Sequence, residues 1–484
     1  MKNISTLILP LFLFINFCFG QTNPNPSSSI DAFIQNEMNT ERFPGVSTLI
    51  VKNGAIVWVE SYGYADVQNN IPVQDTTVFL LASMSKLFTG TASMQLAEDG
   101  VIDLDRNINI YLPWTLQIPG FPNDSVTVRK LMTHTSSIED NNLVMDNYYG
   151  YPNPPITLAN CMGRYFPSFG PDYNAVNNFH NQAPGSFYNY SNIATALNGY
   201  VSEVASGTSF DVYCDSNIFI PLCMNKTSWN FNYFDSMHIA RPYQYIGNTY
   251  VPYPHYGFAD YPDGLLRSNV MDLANFMLAC LNGGTLGNST ILSPSSMTQM
   301  WTPQIPSLDP TQGLSWYQEE IFHSSGSTFL WGHSGGEMGV VTEMYLDPIN
   351  DIGIVVLTNG EVEALFIVDE LYDYALSLNP VSTIIPNCNG ANNIEPLNTD
   401  AQLGIRVFPN PVNDNVTIDF SNYSTLDGYQ LILEDILGQQ VVQMPITQPS
   451  LTIGLSALTG RGVYFIRMVD AQGNMIEVKK IVLH

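Results

Sequence analysis

The sequence predicts an α+β fold, and two observations carry that prediction. Strand-like apolar runs begin and end the stretch 45–358, and helical patterns lie between them, which favours an antiparallel sheet flanked by helices. Beyond residue 404 the pattern changes to short alternating runs separated by Gly and Asn-Pro turns, which is typical of a small β-sandwich. We therefore expect a domain at 30–378, an Asn-, Pro- and Thr-rich linker at 379–404 and a sandwich at 405–484.

Length, composition and charge limit the classes of protein to consider. The 484 residues are 45% hydrophobic and 12% aromatic, enough for a substantial core in more than one domain. The formal net charge is −27, from 43 acidic and 16 basic side chains. This excess of negative charge argues against nucleic acid or an anionic membrane as a partner.

The N-terminus has the pattern of a secretory signal peptide at 1–20. Lys2 precedes a short apolar run that begins at Leu7 and ends at the small residue Gly20. Residues 21–29 are rich in Asn, Pro and Ser and predict a disordered leader. Because no later stretch approaches about 20 uninterrupted apolar residues, we expect no transmembrane segment in the mature chain.

The elements of the larger domain follow from local pattern. Two apolar runs, 46–51 and 55–59, flank Asn53-Gly54, a dipeptide typical of tight hairpin turns. The stretch 140–183 has no clear periodicity and predicts a long loop that could line a substrate entrance. The remaining predicted elements are helices after Ser83, from 126, at 193–204, 270–281 and 361–378, and a second hairpin with strands at 340–346 and 352–358.

The cysteines show no spacing typical of a metal site. Cys214 and Cys223 are near enough in sequence to form a disulfide in an oxidising compartment, and buried free thiols are the alternative. We therefore predict no metal site from them.

A Ser-x-x-Lys pair, Ser83 and Lys86, opens a predicted helix that ends near Gly100. Residues three apart on a helix share a face, so the Lys86 amine can reach the Ser83 hydroxyl. A serine becomes a nucleophile when a neighbouring base takes its proton, and a lysine can be that base when burial and nearby cations lower its pKa. A helix-capping serine followed by a surface lysine explains the pair equally well when it is taken alone.

A second patch, Tyr190-Ser191-Asn192, supplies a phenol and an amide. The phenol can act as a general base if flanking cations lower its pKa, and the amide can hold a substrate carbonyl or Lys86. The alternative is a helix N-cap with Tyr190 merely packing. We interpret His134, in a third polar segment, as part of a helix end that shapes the loop above the site.

A further patch, His333-Ser334-Gly335-Gly336, precedes a predicted strand. It offers an imidazole, a hydroxyl and two residues without side chains, which allow a substrate backbone to approach closely. One backbone N–H from this patch and one from Ser83 could form an oxyanion hole. A surface turn histidine before an edge strand is the alternative.

Together and in this order, the segments resemble the serine β-lactamase and penicillin-binding protein superfamily, nearest to class C β-lactamases, D-alanyl-D-alanine carboxypeptidases and family VIII esterases. The resemblance implies a β-lactamase-like antiparallel sheet flanked by helices, with an all-helical subdomain, over residues 30–378. The segments that carry it are Ala82-Ser-Met-Ser-Lys86, Thr127-Val-Arg-Lys-Leu-Met-Thr-His-Thr-Ser136, Pro184-Gly-Ser-Phe-Tyr-Asn-Tyr-Ser-Asn192, Gly264-Leu-Leu-Arg-Ser268 and Gly332-His-Ser-Gly-Gly336.

The resemblance also implies roles for individual residues. Ser83 would be acylated, Lys86 and Tyr190 would share the proton transfers, and Asn192 would contact the substrate or Lys86. The oxyanion donors would be the backbone amides of Ser83 and Gly336. Such a mechanism needs neither a metal nor an organic cofactor.

Three residues of the last patch, His333, Ser334 and Gly335, would contact the substrate. His333 stands where many members of the superfamily carry the lysine of a Lys-Thr-Gly motif. Because histidine is largely neutral near pH 7, this change disfavours β-lactam hydrolysis. We expect a secreted hydrolase of D-amino acid peptides or amides, similar to D-alanyl-D-alanine carboxypeptidases, with carboxylic esters or an idle peptide-binding role as alternatives.

The C-terminal residues 405–484 resemble the sorting domain of type IX secretion substrates. This resemblance implies export through the periplasm by that machinery, to the medium or the cell surface. A carbohydrate-binding or adhesive β-sandwich is the alternative. The matching segments are Val407-Phe-Pro-Asn-Pro411, Asp435-Ile-Leu-Gly438, Gly462-Val-Tyr-Phe-Ile466 and Lys479-Lys-Ile-Val-Leu-His484.

Overall fold

The computed structural model describes residues 23–386, 405–408, 415–420, 428–435, 440–455, 462–470 and 475–483. The chain divides into two compact units, Met1–Asn393 and Ile394–His484. The predicted signal peptide and most of the predicted linker lie outside the described residues. Within the described ranges, no helix combines the length and the apolar character needed to cross a membrane.

The helices and strands alternate along the first unit, and the second unit holds strands. The helices are α1 (Ser28–Glu41), α2 (Ser85–Glu98), α3 (Val128–Met132), α4 (Asn142–Met145), α5 (Leu158–Tyr165), α6 (Asn192–Ser206), α7 (Phe210–Cys214), α8 (Val270–Leu281), α9 (Pro294–Met300) and α10 (Leu365–Ser377).

The strands of the first unit are β1 (Gly45–Lys52), β2 (Ala55–Asp66), β3 (Ile71–Pro72), β4 (Phe79–Leu80), β5 (Tyr149–Gly150), β6 (Tyr243–Ile246), β7 (Thr249–Pro252), β8 (Gly257–Phe258), β9 (Arg267–Ser268), β10 (Thr285–Leu286), β11 (Ser289–Thr290), β12 (Tyr317–His323), β13 (Gly326–Glu337), β14 (Val340–Asp347) and β15 (Ile352–Thr358). Those of the second unit are β16 (Ile405–Phe408), β17 (Asn415–Phe420), β18 (Gln430–Asp435), β19 (Gln440–Pro445), β20 (Ser450–Gly454), β21 (Gly462–Val469) and β22 (Met475–Leu483).

One seven-stranded sheet, in the order β12-β13-β14-β15-β1-β2-β3, forms the centre of the first unit. Neighbouring strands in it run antiparallel, which confirms the predicted sheet. The β1–β2 hairpin turns at Asn53 (φ 52°) and Gly54 (φ 77°), and two consecutive residues with positive φ are what a two-residue hairpin turn of this kind requires. The β14–β15 hairpin is also confirmed.

Helices cover both faces of this sheet. On one face, Ile34 of α1 and Leu371 of α10 pack with Trp58 of β2 in a buried apolar cluster. On the other face, a larger cluster joins α2, α6 and α8 to the sheet, with the Phe88 and Phe276 rings 4.2 Å apart. This larger cluster buries the N-terminal half of α2, the helix that follows Ser83.

The predicted disorder at 21–29 is wrong for the part that the structure describes. The Asn25 side chain is buried, and its amide donates hydrogen bonds to the carbonyls of Val57 (2.6 Å) and Ser382 (2.8 Å). Because the same amide binds both segments, it also holds residues from the predicted linker against the domain. Ile384, likewise placed in the linker by the sequence, exchanges two backbone hydrogen bonds with Ile56.

The stretch 140–183 is more ordered than the predicted loop. It contains α4, α5 and β5, and α5 buries Leu158, Cys161, Met162 and Tyr165. Short amphipathic helices between Asn- and Pro-rich turns leave little periodicity for sequence reasoning to detect. Of the two alternatives for Cys214, the free buried thiol is correct, so the disulfide to Cys223 does not form.

The second unit has the predicted sandwich architecture. A three-stranded sheet (β16-β17-β20) and a four-stranded sheet (β19-β18-β21-β22) contribute to one apolar core. Val416 and Ile418 enter it from the first sheet, and Leu431 and Ile466 enter it from the second. Alternate residues of these strands therefore face a shared interior, as in a β-sandwich.

Candidate active site

A single 3-10 turn immediately before α2 carries Ser83. Ala82, the residue before it, has φ 49°, a left-handed conformation that is costly for a residue with a Cβ. The preceding residue, Leu81, is fixed on both sides: its N–H donates to Leu266 (2.8 Å) and its carbonyl accepts from the Thr342 hydroxyl (2.7 Å). These bonds hold the turn in its strained form.

Lys86 is 1% exposed and donates three hydrogen bonds. Its Nζ lies 3.1 Å from Ser83 Oγ, 2.7 Å from Asn192 Oδ1 and 2.8 Å from the Asp263 carbonyl. Burial lowers the Lys86 pKa to about 8, against the opposing effect of nearby carboxylates, of which Asp263 is the largest contributor. The structure therefore brings this predicted pair together, and the lowered pKa makes a substantial fraction of the amine unprotonated around pH 8.

Asp140 positions the second patch, a role that no local sequence pattern indicates. Its carboxylate accepts from the Ser191 hydroxyl (2.8 Å) and from the backbone N–H groups of Asn192 (2.9 Å) and Ile193 (3.0 Å). Ser191 itself caps α6 by accepting from the Ala194 N–H. The N-cap alternative for this patch is therefore correct, and the same N-cap of α6 holds Asn192 against Lys86.

Tyr190 lies beside the amine and the hydroxyl. Lys86 Nζ is 4.9 Å from the centre of its ring, and the Ser83 side chain hydrogen bonds with the phenol. The condition for Tyr190 as a base is not met. The residue is 37% exposed as a whole, but desolvation raises the pKa of its phenol, and the hydrogen bond from Ser83 only partly opposes this. The phenol is therefore protonated at rest, and it suits the relay of a proton better than its initial removal.

His134 lies closer to this chemistry than its interpretation as a helix end suggests. Its ring centre is 4.4 Å from that of Tyr190, and its Nδ1 accepts a hydrogen bond from the Ser191 N–H (3.2 Å). Burial, followed by the positive charge of Lys86, lowers its pKa well below the ordinary value. A neutral His134 ring thus forms one wall of the site beside the phenol.

His333 is 4% exposed, so the alternative of a surface turn histidine is wrong. Its Nδ1–H donates to the Ser334 carbonyl at 2.5 Å, which leaves Nε2 as an acceptor. Burial lowers the His333 pKa to about 3, with Lys86 adding to the effect. The Tyr317 ring centre is 4.9 Å away, and its hydroxyl lies 2.8 Å from Ser334 Oγ. The site therefore has a neutral imidazole here, as the sequence predicted.

The two glycines of β13 have different surroundings. A Cβ on Gly335 would lie 2.3 Å from the Leu81 carbonyl oxygen and 3.1 Å from Ser83 N, whereas a Cβ on Gly336 would meet nothing within 4 Å. The Ser334 N–H donates to Tyr317, away from β14, and N–H directions alternate along a strand. The Gly336 N–H therefore points to the same edge, where Ser83 lies.

Two cavities meet at Ser83 and Gly336, and both of these residues line each cavity. The larger, about 330 Å³, also includes His134, Tyr190 and His333. The smaller, about 100 Å³, also includes Asn192. Two other surface cavities of about 830 and 770 Å³ do not include Ser83, so volume alone does not identify the site.

The predicted site residues therefore converge from three segments of the first unit. Sequence reasoning missed Asp140 and Tyr317 and placed His134 only above the site, because the roles of all three depend on tertiary contacts rather than on a local pattern. Among the described residues, no group of three or more His, Cys, Asp or Glu side chains has a geometry suited to a metal ion.

Both units match known protein families. Residues 406–484 match the secretion system C-terminal sorting domain, which indicates export by type IX secretion machinery to a secreted or cell-surface location. Protein flp of Staphylococcus aureus (strain MRSA252) is 27% identical over 333 residues, 68% of this chain and 62% of its own length. The chain thus spans less than two thirds of the curated relatives it matches.

Solved structures show the same fold as the first unit. The octameric penicillin-binding protein homologue from Pyrococcus abyssi has a TM-score of 0.60 at 22% identity, covering 94% of this chain and 98% of its own. The D-amino acid amidase from Ochrobactrum anthropi SV3, complexed with L-phenylalanine amide, has a TM-score of 0.56 at 22% identity, covering 72% and 99%. Residues 30–376 match the Beta-lactamase family model, and the chain therefore belongs to the beta-lactamase family of serine hydrolases.

Proposed function

We propose that the protein hydrolyses amides or peptides of D-amino acids through an acyl-enzyme on Ser83. The observation that carries this proposal is the contact between the Ser83 hydroxyl and the buried Lys86 amine, 3.1 Å apart, with the Lys86 pKa lowered to about 8. A base with a pKa near the working pH is the most effective partner for a serine nucleophile.

The reaction follows from the positions of these groups. Ser83 Oγ attacks the substrate carbonyl carbon, and its proton passes to Lys86 directly or through Tyr190. The backbone N–H groups of Ser83 and Gly336 stabilise the oxyanion that forms. Tyr190 returns the proton to the leaving nitrogen, the C–N bond breaks, and a water molecule then releases the acyl group from Ser83 by the same steps.

The larger cavity favours a leaving group without a carboxylate. Its lining residues in the described part of the chain include Asp309 and Glu319 but no Lys or Arg, and its imidazoles are neutral because burial lowers the pKa of both His134 and His333. A carboxylate there would meet two acids and no fixed cation. This charge distribution supports an amide substrate over the D-alanyl-D-alanine carboxypeptidase substrate.

The same observation supports carboxylic esters as the second candidate, because an alcohol is also an uncharged leaving group. The D-amino acid amidase, which acts on amides, shares the fold, and amides are therefore our first candidate. We also propose that a signal peptide directs the chain into the periplasm before its export.

A panel of substrates tests the proposal. We expect the purified protein to hydrolyse D-alaninamide or a p-nitrophenyl ester faster than N-acetyl-D-alanyl-D-alanine or nitrocefin, because only the latter pair place a carboxylate in the site. Ser83→Ala should abolish turnover of every compound, and Ser295→Ala, a serine exposed on α9, should not change it.

Two results would contradict the proposal. Turnover retained by Ser83→Ala would exclude Ser83 as the nucleophile. Binding of a D-amino acid peptide with no turnover of any compound would instead favour the catalytically idle peptide-binding alternative.

A further inference from the structure

The smaller of the two cavities at Ser83 is lined by carboxylates. Asp260, Asp263 and Glu337 line it together with Asn192 and the side chains of Met145 and Phe258. Its volume, about 100 Å³, equals roughly three water molecules at about 30 Å³ each. Because Ser83 and Gly336 also line it, any group placed there lies next to the reacting carbonyl.

One carboxylate oxygen in this cavity has no hydrogen-bond partner. Asp260 is 3% exposed, and its Oδ1 is buried without a donor. Buried polar atoms are almost always paired, so an unpaired carboxylate oxygen in a cavity requires a donor, either water or a group of a bound molecule.

Two of the neighbouring donor groups, those of Lys86 and Tyr149, are already committed elsewhere. The three protons of Lys86 go to Ser83, Asn192 and the Asp263 carbonyl, so none reaches Asp260 Oδ1. The Tyr149 hydroxyl donates to Glu337 Oε2 at 3.0 Å. No positively charged side chain lines the cavity in the described part of the chain.

The pKa shifts of the carboxyl groups in this cavity are consistent with a bound cation. Burial raises the Asp260 pKa to about 7, against the lowering effect of a hydrogen bond from its own backbone N–H. Repulsion from Asp140 and Glu337 also raises the Asp260 pKa, and Lys86 lowers it. Burial also raises the pKa of Asp263 well above its ordinary value. A bound cation would favour the charged form of these carboxyl groups, so binding of a cation and release of their protons would support each other.

We propose that this acidic cavity binds the free ammonium group of the substrate's acyl portion, with Asp260 as its principal acceptor. The substrate class is then an amide or ester of a small amino acid with an unblocked amino group, and N-acylated compounds are poorer substrates. Met145 and Phe258 provide the apolar contact for a short side chain. This inference rests on the proposed function and narrows its substrate.

The test compares two chromogenic amides, D-alanine p-nitroanilide and N-acetyl-D-alanine p-nitroanilide. We expect wild-type kcat/KM to be at least roughly tenfold higher for the free amine, as a charge-assisted hydrogen bond requires. Asp260→Asn should reduce this preference by roughly tenfold, mainly through KM. Asp215→Asn is the matched control, because Asp215 also has a pKa raised by burial to about 7 but lines neither cavity.

If Asp260→Asn does not fold, a second measurement on the wild type tests the ammonium site. D-alaninamide should protect wild-type Ser83 from a fluorophosphonate at concentrations roughly tenfold lower than N-acetyl-D-alaninamide does. Equal protection overturns the inference. So does a wild-type enzyme without preference for the free amine, or a preference that Asp260→Asn retains.

These outcomes are separate from failure of the proposed function. If a fluorophosphonate labels Ser83 but the free amine has no advantage, only the ammonium site is wrong. If no reagent labels Ser83, the proposed nucleophile is wrong, and the ammonium inference falls with it.

Discussion

Lys86 donates its three hydrogen bonds to a hydroxyl, an amide oxygen and a backbone carbonyl, and none of the acceptors is a carboxylate. Four carboxylates lie near enough to raise its pKa, yet burial outweighs them and lowers it from 10.5 to about 8. A direct ion pair would have held the proton on the amine more firmly. Because these acceptors are neutral, the Lys86 pKa stays low enough for the amine to act as a base in the proposed mechanism.

The pH dependence of acylation tests this role. Ser83 reacts when Lys86 is unprotonated, and that fraction grows as pH rises through the Lys86 pKa. We therefore expect the rate of fluorophosphonate labelling to rise with pH around a midpoint near 8, where a lysine at its ordinary pKa would give a midpoint near 10.5. The measurement is the pseudo-first-order labelling rate between pH 6 and pH 11, a range of about five units chosen to span both values.

Two variants separate Lys86 from Tyr190 in that profile. Lys86→Met should slow labelling by roughly 100- to 10,000-fold and remove the midpoint. Tyr190→Phe should slow labelling but keep the midpoint, because burial keeps the phenol protonated across this range. A midpoint that survives in Lys86→Met would assign the titration to another group.

At the scale of elements, the contact between β13 and the turn before α2 sets the geometry of the site. Gly335 packs directly on this turn, close to the Leu81 carbonyl and the Ser83 amide. Thr342 of β14 also binds the Leu81 carbonyl. The sheet thus holds the nucleophile's backbone in place, and the glycine at 335 serves this packing, whereas the sequence suggested that it admits the substrate.

Alanine at the two glycines gives a matched comparison. Gly335→Ala would place a Cβ 2.3 Å from the Leu81 carbonyl oxygen, so we expect a loss of stability of about 1–3 kcal/mol together with slower labelling of Ser83. Gly336→Ala meets no atom within 4 Å and should unfold at nearly the wild-type temperature. Thermal unfolding checks both, and equal stability of the two variants would contradict the packing described here.

The regular helices and strands could largely be predicted from the sequence, whereas features that depend on tertiary contacts could not. Asn53-Gly54 specifies its hairpin locally, because both residues adopt positive φ readily. No local signal marks Asp140 as a cap for α6, since about 50 residues separate them and the partner N–H groups become available only after folding. The prediction of a disordered leader was wrong for the same reason, because Asn25 forms its buried contacts with residues distant in sequence.

At the scale of the whole molecule, the candidate site is assembled entirely within the first unit. The order and types of the residues at 83–86, 190–192 and 333–336 allowed the family resemblance to predict that they meet. Their pKa values could not be predicted in this way, because burial dominates the shifts of Lys86, Tyr190 and His333, and burial depends on the folded structure.

The two units have separate tasks on this account. The sorting domain at 406–484 indicates export, and the residues that line the two cavities at Ser83 belong to the first unit. An acidic, exported chain with its catalytic groups in one unit is consistent with an enzyme that meets its substrate outside the cell.

The measurement that tests the central claim most directly is the site of covalent modification. Full-length protein is treated with a fluorophosphonate near pH 8, digested and mapped by mass spectrometry. We expect one stoichiometric adduct, on Ser83, which is absent in Ser83→Ala. An adduct on a different serine, or equal labelling of wild type and Ser83→Ala, would contradict it.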